Sequence, residues 1–415
     1  PEIAPPAGPG DPEDRPNRAG ELPEHGGSGD ANGGSVREEG RISGTDGGRQ
    51  AADKYWEFVT SHPTYDEGAL NEAIDLGDEL AACTGGWKRA AGVLKESWTA
   101  KHGNHLDGVN DASLDGKVEP ALLEYLREVA QHGVDVRSTA EPRRVKSKPH
   151  NSATQHQEEA RQKVWEDVVA GRAWLVSSDR PELDGVLEGP QGRVPKQLPD
   201  RTLSNEGRFI NDLRQGNESC ASTDHPPAKM PQHKELARQV LWWRARVPGV
   251  QILIAKRDVK AAFKLIPVRA NGVWLMAVAL LGEPLGRTGD VTVVYLVLVF
   301  GWSGAPGEWA VWARGVSAYH QAHRPWNPAT EDAVAYASEF LVDDAVLIEP
   351  LLGLRPWTSA ATWDRGCRMI LGPKSVNMGK LEEEGRFTTS KIVWGLLCEL
   401  EGSGGEVADS IRLPE

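Results

Sequence analysis

Cysteine is scarce and never paired in sequence. Cys83, Cys220, Cys367 and Cys398 stand far apart, which excludes a C-x-x-C zinc ribbon and a disulfide scaffold. A reducing, intracellular setting, cytoplasm or nucleus, is expected. No run of 18 or more apolar residues exists, so no membrane-spanning helix and no membrane partner are expected. No basic-then-apolar leader opens the chain, which begins at Pro1 rather than Met, as a fragment would. Aliphatic residues are nearly missing from positions 1–50, which hold 12 Gly and 7 Pro. Such a segment cannot bury enough apolar area to offset its ordering entropy, so it is read as disordered. Net positive charge is also lacking, at −13 over 415 residues. The deficit is uneven: residues 141–260 carry 21 Lys+Arg against 16 Asp+Glu, a net of +5 that leaves −18 for the rest. Only that basic segment could supply many phosphate contacts. Finally, no Lys or Arg lies between Thr330 and Arg355.

That last gap matters because of what it contains. Phe340-Leu341-Val342-Asp343-Asp344-Ala345-Val346-Leu347-Ile348 places two adjacent carboxylates inside an apolar run. The flanks read as two strands and the aspartates as the turn of a hairpin. A carboxylate pair among buried strands is unfavourable unless a cation meets it. Mg2+, held by one or two carboxylates plus phosphates, is the usual partner.

The length suggests two or three domains. Residues 51–135 read as helices, with Tyr55, Phe58 and Val59 at helical spacing, Trp87, Leu94 and Trp98 on a third helix, and Leu122, Leu123, Leu126 and Val129 on another. A basic, Pro-bounded connector spans 140–150, and 155–175 looks helical. Residues 186–199 are expected to form a hairpin turning at Gly189-Pro190-Gln191-Gly192, with 207–214 as partner strand. A helix over 232–246 stops at Pro248-Gly249. A buried strand from Val250 delivers Asp258, and a second runs over 291–300 into Gly301-Trp302-Ser303-Gly304-Ala305-Pro306-Gly307. Helices follow at 308–320 and 359–371, and a strand at 391–400. The fold class is α+β, an antiparallel sheet with helices on one side.

Asp258, Asp343 and Asp344 sit at strand ends and could meet at one sheet edge. Three carboxylates suffice for two Mg2+ ions, which in such sites lie about 3.5–4 Å apart and stabilise the attacking and leaving oxygens of a phosphoryl transfer. Singly, each residue has a plainer reading. Asp258 could cap a turn, Phe263 could be a core aromatic, Arg208 and Arg214 a solvated strand face, and Lys380 a partner of Glu382–Glu384.

Taken in order, however, Asp258-Val259-Lys260-Ala261-Ala262-Phe263-Lys264-Leu265-Ile266-Pro267, Phe300-Gly301-Trp302-Ser303-Gly304-Ala305-Pro306, Leu341-Val342-Asp343-Asp344, Asn377-x-x-Lys380 and Val393-Trp394-Gly395 resemble successive motifs of reverse transcriptases. Arg208-x-x-x-Asp212-x-Arg214-x-x-Asn217 is similar to the family's fingers strand. The likeness covers roughly residues 190–400 and looks nearest to eukaryotic retroelements. It implies a right-hand polymerase with 151–249 as fingers, 250–400 as palm, 401–415 as the start of a largely missing thumb or a tail, and 51–150 as a helical N-terminal region and connector.

By that resemblance, Asp258, Asp343 and Asp344, with the Val259 carbonyl, would hold two Mg2+ (Mn2+ as substitute). Phe263 would exclude a 2′-hydroxyl. Arg208, and Arg201 or Lys196, would bind the nucleotide phosphates. Lys380 would be the acid for pyrophosphate. Gly301, Gly304 and Pro306 would line the template path, and Trp394-Gly395 the primer grip. Partners would be an RNA or DNA template with primer, and dNTPs. Leu341 stands where retroviral members carry Tyr or Phe. The alternatives are a decayed or truncated remnant that binds nucleic acid without turnover, and an RNA polymerase, which Phe263 argues against.

Overall fold

The computed structural model describes residues 46–197, 202–325, 332–400 and 409–412. Most of the stretch expected to be disordered, residues 1–45, lies outside the described residues. Its last five positions, however, are helical: α1 spans Asp46–Ser61. Next come α2 (Glu67–Thr84), α3 (Trp87–His102), α4 (Pro120–His132), α5 (Asn151–Thr154) and α6 (Gln157–Val169). Asp66 caps α2 by accepting the Ala69 N–H at 2.9 Å, and Gly85 ends it with φ 69°. Tyr55, Trp56 and Val59 of α1 are fully buried against Leu70, Ile74 and Leu80 of α2. The Tyr55 hydroxyl accepts the Leu175 N–H at 3.1 Å and so ties these helices to the sheet beside them.

That sheet has the order β1-β7-β6-β2, with β1 at Ala173–Ser177, β2 at Glu188–Gly189, β6 at Ala277–Leu280 and β7 at Val291–Tyr295. Strand β6 falls in a stretch the sequence left without a reading, and the strand expected over 291–300 stops at Tyr295. Strands β3 (Gln191–Gln197) and β4 (Leu203–Asn211) form a separate antiparallel pair. The turn expected at 189–192 is therefore corrected. Pro190 lacks an N–H to continue β2's ladder, and there the chain changes sheets, from β6 to β4, without reversing.

After α7 (Arg214–Asn217) and α8 (His233–Arg246), β5 (Ile252–Asp258), β8 (Ser338–Leu341) and β9 (Asp344–Pro350) make the third sheet, ordered β5-β9-β8. Helices α9 (Ala305–Gln321), α10 (Arg355–Leu371) and α11 (Met378–Glu384) surround it. Strand alternation sorts its side chains. Ala255, Ala345 and Leu347 join the main core with Trp312 and Val316 of α9 and Trp363 and Ile370 of α10. Ile252, Ile254, Val346 and Ile348 join a second core with Leu236, Val240 and Trp243 of α8. The sheet is thus covered on both faces, not on one side as expected.

The strand anticipated over 391–400 is two strands, β10 (Ser390–Val393) and β11 (Leu396–Glu399), with β12 (Ser410–Arg412) beside β11. Trp394 and Gly395 turn between them at φ 48° and 82°, as a two-residue hairpin turn requires.

Candidate active site

Antiparallel pairing of β5 with β9 runs in unbroken register from Ile252↔Pro350 to Asp258↔Asp344. Side chains directly opposite on one face have Cβ atoms about 4.5–5.5 Å apart, so register alone brings these two aspartates together. Asp343 stands in the turn between β8 and β9. Its carbonyl accepts the Val259 N–H at 3.0 Å, which ties the turn to the chain leaving β5. The turn is strained: Val342 has φ 54°, a region a β-branched residue avoids at a cost of about 1–3 kcal/mol. The Val342 carbonyl accepts a 2.7 Å hydrogen bond from the Trp309 indole N–H of α9.

No cation is near Asp343 and Asp344 in sequence, but two residues of the α11 N-terminus supply compensation in space. Asn377 Oδ1 caps α11 by accepting the Lys380 backbone N–H, while its Nδ2 donates to Asp258 Oδ1 at 2.6 Å. Lys380 Nζ bonds Asp258 Oδ2 and lies 3.6 Å from Asp344 Oδ1. Burial, and then the neighbouring Asp258 charge, raises the Asp343 pKa above the usual carboxylate value; Lys380 and Arg208 oppose this. Burial likewise raises Asp344, with Lys380 pulling it down and Asp343 pushing it up. Burial works against the Lys380 ammonium, yet the Asp258 hydrogen bond and the three carboxylate charges leave its pKa raised.

The oxygen donors here, carboxylates and main-chain carbonyls, are of the kind that suits Mg2+. The Lys380 side-chain ammonium already bridges Asp258 and Asp344. Among the described residues no three acidic, His or Cys side chains are grouped as a ready ligand set. Both Asp258 oxygens are engaged, so a metal would take the place of Lys380.

The other expected residues divide. Phe263 lies on a 3-10 turn, Ala262–Leu265, half-buried, 6.1 Å from Phe300 and 6.3 Å from Trp309 between ring centroids. Arg208 is exposed on β4 and near enough to lower the Asp343 pKa. Lys196 is spent on a 2.6 Å ion pair with Glu206 across the β3–β4 ladder. Arg201 lies outside the described residues. The room that Gly301 and Gly304 were expected to give a template is filled by the chain itself. A Cβ on Gly301, whose φ is 109°, would stand 2.0 Å from the Asn211 carbonyl, and one on Gly304 would stand 2.4 Å from the Trp302 ring. Pro306 sits in the first turn of α9. Trp394 packs edge-on against His233 at 5.6 Å.

Sequence reasoning missed Trp309, because a tryptophan on a helical apolar stripe reads as core. It also missed a buried triad at the start of α9. Glu308 accepts from Tyr125 at 2.6 Å and pairs with His225 Nδ1 at 2.7 Å. Asn217 was noticed only within a motif. It donates to the Gly301 carbonyl at 2.8 Å and accepts the Ser303 N–H at 2.9 Å, and so holds the glycine turn.

No protein-family profile matches the chain, and no curated protein does. Among solved structures it is similar to a foamy viral protease-reverse transcriptase determined in complex with double-stranded DNA, at 13% identity and a TM-score of 0.41. The match covers 71% of this chain and 46% of that one, so the chain spans less than half of its length. Among the described residues no helix is long and apolar enough to cross a membrane.

Proposed function

We propose that the chain is the fingers and palm of an RNA-directed DNA polymerase, adding dNTPs to a primer 3′-hydroxyl on an RNA or DNA template. The observation that carries this reading is the Asp258↔Asp344 register pair with Asp343 in the adjoining turn. Asp258 and Asp344, far apart in the chain, meet across two strands with Asp343 next to them in the turn, and burial holds Asp343 and Asp344 above their ordinary pKa. Such perturbation marks functional sites. The third sheet would be the palm, and the β3–β4 pair would belong to the fingers.

Two Mg2+ ions, held by these aspartates and the Val259 carbonyl, would activate the 3′-hydroxyl and neutralise the leaving phosphates. The primer 3′-hydroxyl gives up its proton to water, and its oxygen bonds to the α-phosphorus as the bond from that phosphorus to the β-phosphate bridge breaks. Lys380, released from Asp258, gives its proton to the departing pyrophosphate. Phe263 occupies the volume of a 2′-hydroxyl, and Arg208 reaches the nucleotide phosphates as a planar donor.

The engagement of both Asp258 oxygens favours a second reading, a nucleic-acid-binding remnant without turnover. Primer extension on poly(rA)/oligo(dT) with Mg2+ separates the two. Extension by the parent and its loss in Asp343→Asn support the polymerase. Binding without extension supports the remnant, and equal extension by parent and variant overturns the site.

A further inference from the structure

The turn that carries Asp343 adopts a backbone that its own residue disfavours, and something outside it must hold it there. Val342 has φ 54°. Its carbonyl is gripped by the Trp309 indole N–H at 2.7 Å. Trp309 is 1% exposed and fixed in the second turn of α9. Trp312, one turn further on and equally buried, has no partner for its N–H, so burial alone does not supply such a bond. The Trp309 ring meets Phe263 edge-on at 6.3 Å and 74°, and the Phe263 ring lies 6.1 Å from that of Phe300. One side chain therefore touches both the carboxylate turn and the aromatic placed at the end of the Asp258 segment.

We infer that Trp309 is a positioning and specificity-determining residue. Its N–H fixes the turn that presents Asp343, and its ring sets how far Phe263 projects toward the sugar. This rests on the polymerase reading above. The two roles are separable, because phenylalanine keeps a ring and lacks the donor. Glycine at 342 would also relieve the need for the donor, since glycine takes φ > 0 without penalty.

The test compares kcat and KM for dTTP and UTP on poly(rA)/oligo(dT), together with hydrogen exchange at the Val259 amide, which bonds the Asp343 carbonyl. Trp309→Phe should lower kcat for dTTP about tenfold, the loss of one neutral hydrogen bond from the transition state. Its dTTP/UTP preference should hold. Val342→Gly added to Trp309→Phe should recover the rate. Trp309→Leu should lower the dTTP/UTP preference about tenfold or more. Val259 should lose protection in Trp309→Phe and regain it in the double variant.

If the parent extends no primer, the polymerase reading fails, and the exchange measurement still decides the clamp. Unchanged Val259 protection and rate in Trp309→Phe overturn the clamp, as does failure of Val342→Gly to rescue. An unchanged nucleotide preference in Trp309→Leu overturns the link to Phe263. Should that variant not fold, Trp309→Phe and its rescue still decide the clamp.

Discussion

Asp343 sits where its own charge is unwelcome. Burial and the Asp258 charge raise its pKa, so its contribution to stability is greatest when it is protonated and is lost as pH rises through the folded value. Asp343→Asn is therefore expected to abolish extension and also to raise Tm at pH 7 by about 1–3 °C, a modest figure because the site is only half-buried. The gain should fade in acid, where the parent carboxyl is itself neutral; calorimetry from pH 4 to pH 8 checks it. An unchanged Tm across that range would mean the turn carries no electrostatic strain. Lys380→Met has the opposite signature: lower stability at neutral pH, because three carboxylates lose their cation, and a fall in turnover of about 10²-fold with KM little changed, as removal of a general acid predicts. Single-turnover kinetics would show it.

At the scale of elements, β9 is pinned to the start of α10 by Arg355. This buried guanidinium reaches Glu349 at 2.5 Å and Asp332 at 2.9 Å, and stacks over the Trp243 ring of α8 at 4.5 Å. Ser359 donates to the other Glu349 oxygen at 2.7 Å. Two carboxylates share one cation, and burial pushes Glu349 up to about 7 against the pull of Arg355. Arg355→Met leaves both carboxylates buried without a partner and is expected to destabilise by about 3–5 kcal/mol. A shift of the urea midpoint with unchanged slope would record it. None of this was legible beforehand, because Asp332, Glu349 and Arg355 each look like surface charges in sequence. The helices, β5 and the hairpin at 341–344 were legible, since their apolar periods are strong and their ends carry Gly, Pro or Asp. The pairing of the 186–199 segment with the strand at 207–214 was legible as well; the path through Gly189-Pro190 was not, because that dipeptide has turn chemistry and only tertiary pairing shows the chain running on. The strand reading of 391–400 likewise ran through Trp394, since a bulky residue at φ > 0 has no local signal; only the resemblance marked a turn there.

Over the whole molecule, charge is segregated, with the basic segment at 141–260 set in an acidic remainder. Binding of a primer-template is expected to weaken steeply with salt, with a log–log slope of about −4 if four or five phosphates are neutralised. A flat salt response in a fluorescence anisotropy titration would exclude a phosphate-tracking surface. The carboxylates themselves meet by strand register, from position 258 to position 344, and not by nearness in sequence. The connection between β6 and β7, residues 281–290, lies within that interval yet outside both strands, so insertions of any length there leave the pair aligned. One residue added inside β5 or β9 instead reverses the phase of everything beyond it and sends an aspartate to the opposite face of the sheet. Indels in natural or engineered variants should accordingly be judged by parity and place: a long insertion in the connection is silent, and a single odd residue in either strand is not.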